Sequence, residues 1–123
     1  MKNNVIMSLI NKIEGYRIRA REIHWSTKQH SMHVLCDTII EELEKYEDEI
    51  AEDAQGMFGR IEIGQLKPEI PEETDMIPML RNIRSTCISV KNELKDERFD
   101  GIKNLLDDII HYSNQWTYLS TFS

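Results

Sequence analysis

His33 and Asp37 lie four residues apart, and so do Asp48 and Glu52. On a helix such a spacing stacks two side chains about one turn apart on one face, so each pair can converge on a single cation. His24, nine residues before His33, adds a second imidazole. Imidazole nitrogens mixed with carboxylate oxygens suit iron, accept manganese or zinc as substitutes, and fit poorly with a soft thiolate site. The plain alternative has weight, because Glu41, Glu42, Glu44, Glu47, Glu49 and Asp53 crowd the same segment. Such a helix offers i,i+4 carboxylates anywhere, and Asp48 with Glu52 alone reads as solvated acidic surface. It is their combination with phased histidines that favours metal. His30 has no phase-matched partner and reads as a surface residue.

The elements that must position these residues are helical. Ile6, Leu9, Ile13, Tyr16, Ala20 and Ile23 step by three and four, which predicts an amphipathic helix over about residues 3 to 27. A polar connection follows, with Ser31 as the expected cap of a second helix running to about Phe58. Its apolar stripe is Leu35, Ile39, Leu43, Tyr46, Ile50, Ala54 and Met57. Gly59, Gly64, Pro68 and Pro71 punctuate an irregular stretch. A third helix is expected over Thr74 to Lys95, with Pro78 tolerated in its first turn. Asp100 is the expected cap of a fourth, which presents Ile102, Leu105, Ile109, Tyr112, Trp116 and Leu119.

Four such helices predict an all-α bundle in one domain, residues 1–123. Residues 59 to 73, if extended, reach roughly 45 Å at about 3.3 Å per residue, enough to travel the bundle's length. Two short turns with one long crossover between the second and third helices make the ferritin-like four-helix arrangement; an up-and-down bundle with a slack loop accommodates the same pattern.

Helical phase places the candidate ligands away from the core. With Leu35 at zero and about 100° per residue, the second helix's apolar stripe falls between about 0° and 100°. His33, Asp37, Asp48 and Glu52 fall between about 160° and 260°. The two pairs are centred roughly 22 Å apart along the axis, too far to share an ion within one chain. Two copies of the helix packed antiparallel about a two-fold axis near Glu42 and Leu43 would bring His33 and Asp37 of one chain to the partner's Asp48 and Glu52, making two sites per homodimer. His24 would lie level with His33 across the turn, completing a set of two nitrogens and three carboxylates.

Charge and composition narrow the alternatives. A net charge of -7 and the lack of a lysine-rich tail argue against direct DNA binding. No apolar run suggests a membrane span and no signal-peptide layout is evident, so a cytoplasmic protein is expected. Cys36 and Cys87 form no CxxC pair and are expected as reduced, partly buried thiols.

At these residues the sequence resembles the Dps mini-ferritins of the ferritin-like superfamily. The shared pattern is His24-Trp25 ending the first helix, His33-x3-Asp37 opening the second, and Asp48-x3-Glu52 eleven residues beyond Asp37. Resemblance extends into the last helix, NLLDDIIHYSNQWTYLSTF, and is weak over residues 59 to 95. It implies a ferroxidase centre of one or two irons formed by His24, His33 and Asp37 with Asp48 and Glu52 of the two-fold mate. It further implies oxidation of Fe(II) by peroxide or O2 and ferric storage in a twelve-subunit shell. For Trp25 it implies uptake of stray oxidising equivalents, against ordinary packing as the other role. The nine-residue step from His24 to His33 implies a shortened turn. The rival function is a non-catalytic bundle using its acidic, histidine-bearing face for structure or partner binding. A second motif, Asp108-x-x-His111, resembles half of an intra-bundle di-iron site. It lacks a counterpart facing the core of the second helix, so a local polar patch is expected there.

Overall fold

The computed structural model describes residues 1–122. Its helices are α1 (Asn4–Ser26), α2 (His30–Phe58), α3 (Met76–Glu93) and α4 (Asp100–Leu119), with a 3-10 turn at Glu97–Phe99 before α4. Among the described residues there is no strand. Asn3 caps α1 by accepting the Ile6 N–H at 3.0 Å, which satisfies one of the amides that the first turn leaves without a carbonyl partner. At the other end of the pair, α2 stops at Gly59, whose φ of 88° lies in the left-handed region that glycine enters without a Cβ clash.

Every apolar position expected on the first helix is buried, and so are Leu35, Ile39, Leu43, Tyr46, Ile50 and Ala54 on α2, with Met57 half-buried. Pro78 does sit in the first turn of α3. Three local expectations are corrected. Gln29, not Ser31, precedes α2, and Ser31 Oγ instead donates to the Phe122 carbonyl at 3.2 Å. Asp100 is already helical; the capping carboxylate belongs to Asp96, which accepts the Arg98 N–H at 2.9 Å and starts the 3-10 turn. On α4 the centre of the buried stripe is Ile102, Leu106, Ile109, Ser113 and Trp116, leaving Leu105, Tyr112 and Leu119 half-buried on its flank. A serine is tolerated in that row because its Oγ donates to the Ile109 carbonyl at 2.8 Å, so no polar atom is orphaned.

The helices pack with α1 against α2 and α3, and α4 against α2 and α3. Ser31 near the start of α2 meets Phe122 beyond the end of α4, while Phe58 at the end of α2 stacks on Phe99 at 5.8 Å; these two helices are antiparallel. The same holds for α1 and α3. Ile23 and Ser26 lie beside Asp75 and Met76, and Asn4 and Ser8 lie beside Ser89 and Glu93.

Residues 60 to 71 follow the outside of α1. The Met1 ammonium donates to the Arg60 carbonyl, and the Lys67 and Glu69 N–H groups donate to the Asn11 side chain and carbonyl, both at 2.9 Å. Farther on, Arg19 Nη2 donates to the Pro71 carbonyl at 2.8 Å. Gly15 permits this approach: a Cβ built there would lie 1.8 Å from the Glu69 carbonyl oxygen and 2.3 Å from its carbon. Both obstacles are backbone. Replacing a mid-helix glycine by alanine ordinarily stabilises a helix by about 1 kcal/mol. Here Gly15→Ala is expected to destabilise by about 1–3 kcal/mol, because the overpacked strap must leave α1 and lose its hydrogen bonds. A denaturation midpoint that rises in this variant would show that the strap yields without cost.

Candidate metal centre

The turn between α1 and α2 is three residues, Thr27 to Gln29, held by the Thr27 N–H on the Ile23 carbonyl at 2.9 Å and the Gln29 N–H on Thr27 Oγ1 at 3.2 Å. So short a turn brings His24, in the last turn of α1, level with His33, in the first turn of α2. Their rings stack with centroids 3.9 Å apart and planes 19° from parallel.

Each ring is anchored by the other's backbone. His24 Nδ1 lies 2.9 Å from the His33 carbonyl oxygen, and His33 Nδ1 lies 2.9 Å from the His24 carbonyl oxygen. A carbonyl only accepts, so both Nδ1 atoms carry the donated proton. In the neutral ring this tautomer reserves the Nε2 lone pair for a ligand. Metal-binding histidines are commonly oriented by this kind of outer hydrogen bond. Asp37 joins the pair from the next turn of α2, its Oδ1 3.6 Å from His24 Nδ1 and its side chain 62% exposed. That separation is longer than a hydrogen bond, so the carboxylate contributes charge while its oxygens stay available.

Asp48 and Glu52 are exposed on the same stripe of α2. Eleven residues from Asp37 to Asp48 rotate the helix by three turns and about 20°, and raise it by roughly 16 Å. Within one chain, therefore, the structure brings together His24, His33 and Asp37, and leaves Asp48 and Glu52 apart from them. Among the described residues of a single chain, no three His, Cys, Asp or Glu side chains are grouped to hold a metal ion. Trp25, which follows His24 in the last turn of α1, is 70% exposed, with the Arg21 guanidinium 5.4 Å from its ring centroid.

One group beside Asp48 was misjudged from the sequence. Glu47 is buried, not part of the solvated acidic face, and accepts from Arg17 Nη1 at 2.9 Å. The same guanidinium nitrogen holds Glu14 at 2.8 Å, and Nη2 lies 3.4 Å from Glu44. Burial, then the hydrogen bond and charge of Glu14, push the Glu47 carboxyl up to about 8, opposed only in part by Arg17. Glu14, Arg17 and Glu47 together line a hollow of about 250 Å3 whose rim includes Asp48. The sequence signal was helical phase, since Glu47 lies at about 120° on the wheel, at the edge of the core stripe.

Asp108 and His111 are both exposed, and Asp108 accepts from the Tyr46 hydroxyl at 3.5 Å while His111 meets the Tyr112 ring edge-on. His30 is exposed. Cys36 and Cys87 are both buried free thiols, and burial pushes their pKa values up to about 11 and about 12, leaving them protonated. Among the described residues, no helix is long and apolar enough to cross a membrane.

Residues 24–119 match a family of unknown function, DUF5856. The chain belongs to that family. The matched segment of this DUF5856 chain holds all six candidate residues, from His24 to Glu52. Nothing matches among curated proteins or among solved structures.

Proposed function

We propose that this DUF5856 chain is a Dps-like ferroxidase whose iron site is shared between two copies. Its substrate is Fe(II), bound by His24, His33 and Asp37 of one subunit with the partner's Asp48 and Glu52. The observation that carries this reading is the reciprocal anchoring of the two imidazoles, each Nδ1 tied to the other's carbonyl. With both Nδ1 atoms donating to carbonyls, both Nε2 lone pairs of the neutral rings are left for a ligand.

The donor set suits the reaction. Three carboxylates favour the harder, more highly charged Fe(III) over Fe(II), and so assist loss of an electron, while two imidazoles hold Fe(II) well enough to load the site. Each Fe(II) gives one electron, and a peroxide molecule takes two as its O–O bond breaks to two hydroxides. Two irons are consumed per peroxide, which removes both partners of damaging radical chemistry. For Trp25, exposed next to His24 in sequence, the resemblance suggests reduction of an oxidising equivalent that escapes the irons. This reaction needs only the dimer; ferric storage in a larger shell is the further step that the resemblance suggests.

The ferritin-like topology belongs to the same proposal. Supporting it are the antiparallel pairs α1 with α3 and α2 with α4, together with a connection hydrogen-bonded along α1 from Arg60 to Pro71. A slack loop between up-and-down helices would not require that strap. Calorimetric titration of Fe(II) without oxygen tests the site itself. Saturable binding is expected for the wild-type chain and its loss for His24→Ala/His33→Ala; superimposable isotherms would refute the assignment.

A further inference from the structure

Two hollows meet at the end of the bundle where α1 gives way to α2 and α3 begins. One, of about 530 Å3, runs from Gln29 and Met32 to Asp75, Met76 and Pro78. The other, of about 420 Å3, lies along the last turns of α1 between Arg19, Glu22 and Trp25. Both are lined by Ile23, Ser26 and Thr74, so they form one cleft. Its base is apolar, with Ile23 and Met76 buried and Met32 half-buried. Small molecules are commonly bound in hollows of this size that combine apolar surface with a few placed polar groups.

Trp25 walls the cleft and has one face to offer it. Arg21, four residues before Trp25, stands over the ring but does not line the cleft, whereas Glu22, three residues before it, does. Helical side chains lean back over the preceding turn, so the indole lies between these two, with one face toward Arg21 and the other toward the cleft. That second face is apolar and electron-rich, suited to stack a planar ring and to attract positive charge. The charges on the walls select the same sign. Arg19 and Glu22 pair at 3.1 Å and offset each other. Asp75 remains: it is exposed and precedes α3, yet its carboxylate makes no capping hydrogen bond. A carboxylate not used by its own helix is available to a ligand's ammonium group.

We infer that this cleft binds a small planar aromatic monocation of the arylalkylamine class, its ring stacked on Trp25 above Ile23 and Met76 and its ammonium group on Asp75. The site needs neither iron nor a second chain, so it stands apart from the metal centre. Phenethylamine titrated into the full chain in the presence of chelator is the test. Trp116 is only 2% exposed, so a change in indole emission reports on Trp25. A saturable change is expected, and phenylpropionate, similar in shape but opposite in charge, should bind at least about tenfold more weakly. In calorimetry, which does not need the indole, Trp25→Ala should weaken phenethylamine binding by about tenfold, and Asp75→Asn by a similar factor. Both side chains are exposed, so both variants should keep the fold. Emission that falls linearly with amine and never saturates would be collisional quenching and would overturn the site. Equal affinity for the amine and for phenylpropionate, or for Asp75→Asn and wild type, would overturn the cationic ligand class. Equal affinity for Trp25→Ala and wild type would overturn the stacking wall and the aromatic class with it.

Discussion

Asp48→Ala with Glu52→Ala is expected to reduce Fe(II) oxidation by peroxide to the rate seen without protein. Both side chains are exposed, and surface substitutions of this kind usually change stability by less than about 0.5 kcal/mol, so the fold should survive intact. Neither residue pairs with Arg17, which holds Glu14 and the buried Glu47, although Asp48 shares their hollow. What the variant loses is two of three carboxylates at each shared site, and with them the preference for Fe(III) that drives electron loss. His24, His33 and Asp37 remain, so weak iron binding can persist while turnover disappears. Ferric absorbance followed in stopped flow, with circular dichroism to verify the fold, measures this directly. Equal initial rates for wild type and variant would mean that the acidic stripe is solvated surface, and the rival reading of a non-catalytic bundle would stand.

The parts of the molecule legible in the sequence are those governed by helical period. All six expected positions of α1 are buried, and Met7 and Ile10 are buried with them, widening the stripe beyond the three-and-four step. On α4 the period was equally clear, yet Leu105 and Leu106 are adjacent and equally apolar. Only packing against α2 and α3 decides which of them lies at the centre. Caps were less legible. Ser31 and Asp100 have the right chemistry, but the short turn starts α2 two residues before Ser31 reaches a capping position, and Asp96 starts the 3-10 turn ahead of Asp100.

For the candidate site, the stripe of His33, Asp37, Asp48 and Glu52 follows from rotation per residue, and the structure places all four off the core as expected. The mutual anchoring of His24 and His33 was not legible, because it depends on ring rotamers and on two carbonyls at helix ends. Glu47 shows the opposite failure. Its phase was available, but a carboxylate among so many others was grouped with the surface, whereas burial here is supported by Arg17 reaching across from α1. The strap over Gly15 was foreseen only as a length of chain; its contact with α1 depends on backbone atoms that carry no sequence signature.

The central claim is that each site takes ligands from two chains, and mixed dimers test it most directly. His33→Ala and Glu52→Ala homodimers each damage both of their sites, so each alone should be inactive or nearly so. In a mixed dimer of the two variants, shared sites would gather both lesions in one site. The other site keeps all five ligands. With independent sites, mixing should restore about half of the wild-type rate per mixed dimer. If each site were built within one chain, the mixed dimer would hold two singly damaged sites and recover nothing. Purified mixed dimers carrying distinguishable tags, assayed for Fe(II) oxidation with peroxide, decide between these results: recovery to about half is what a shared site requires, and no recovery would contradict it.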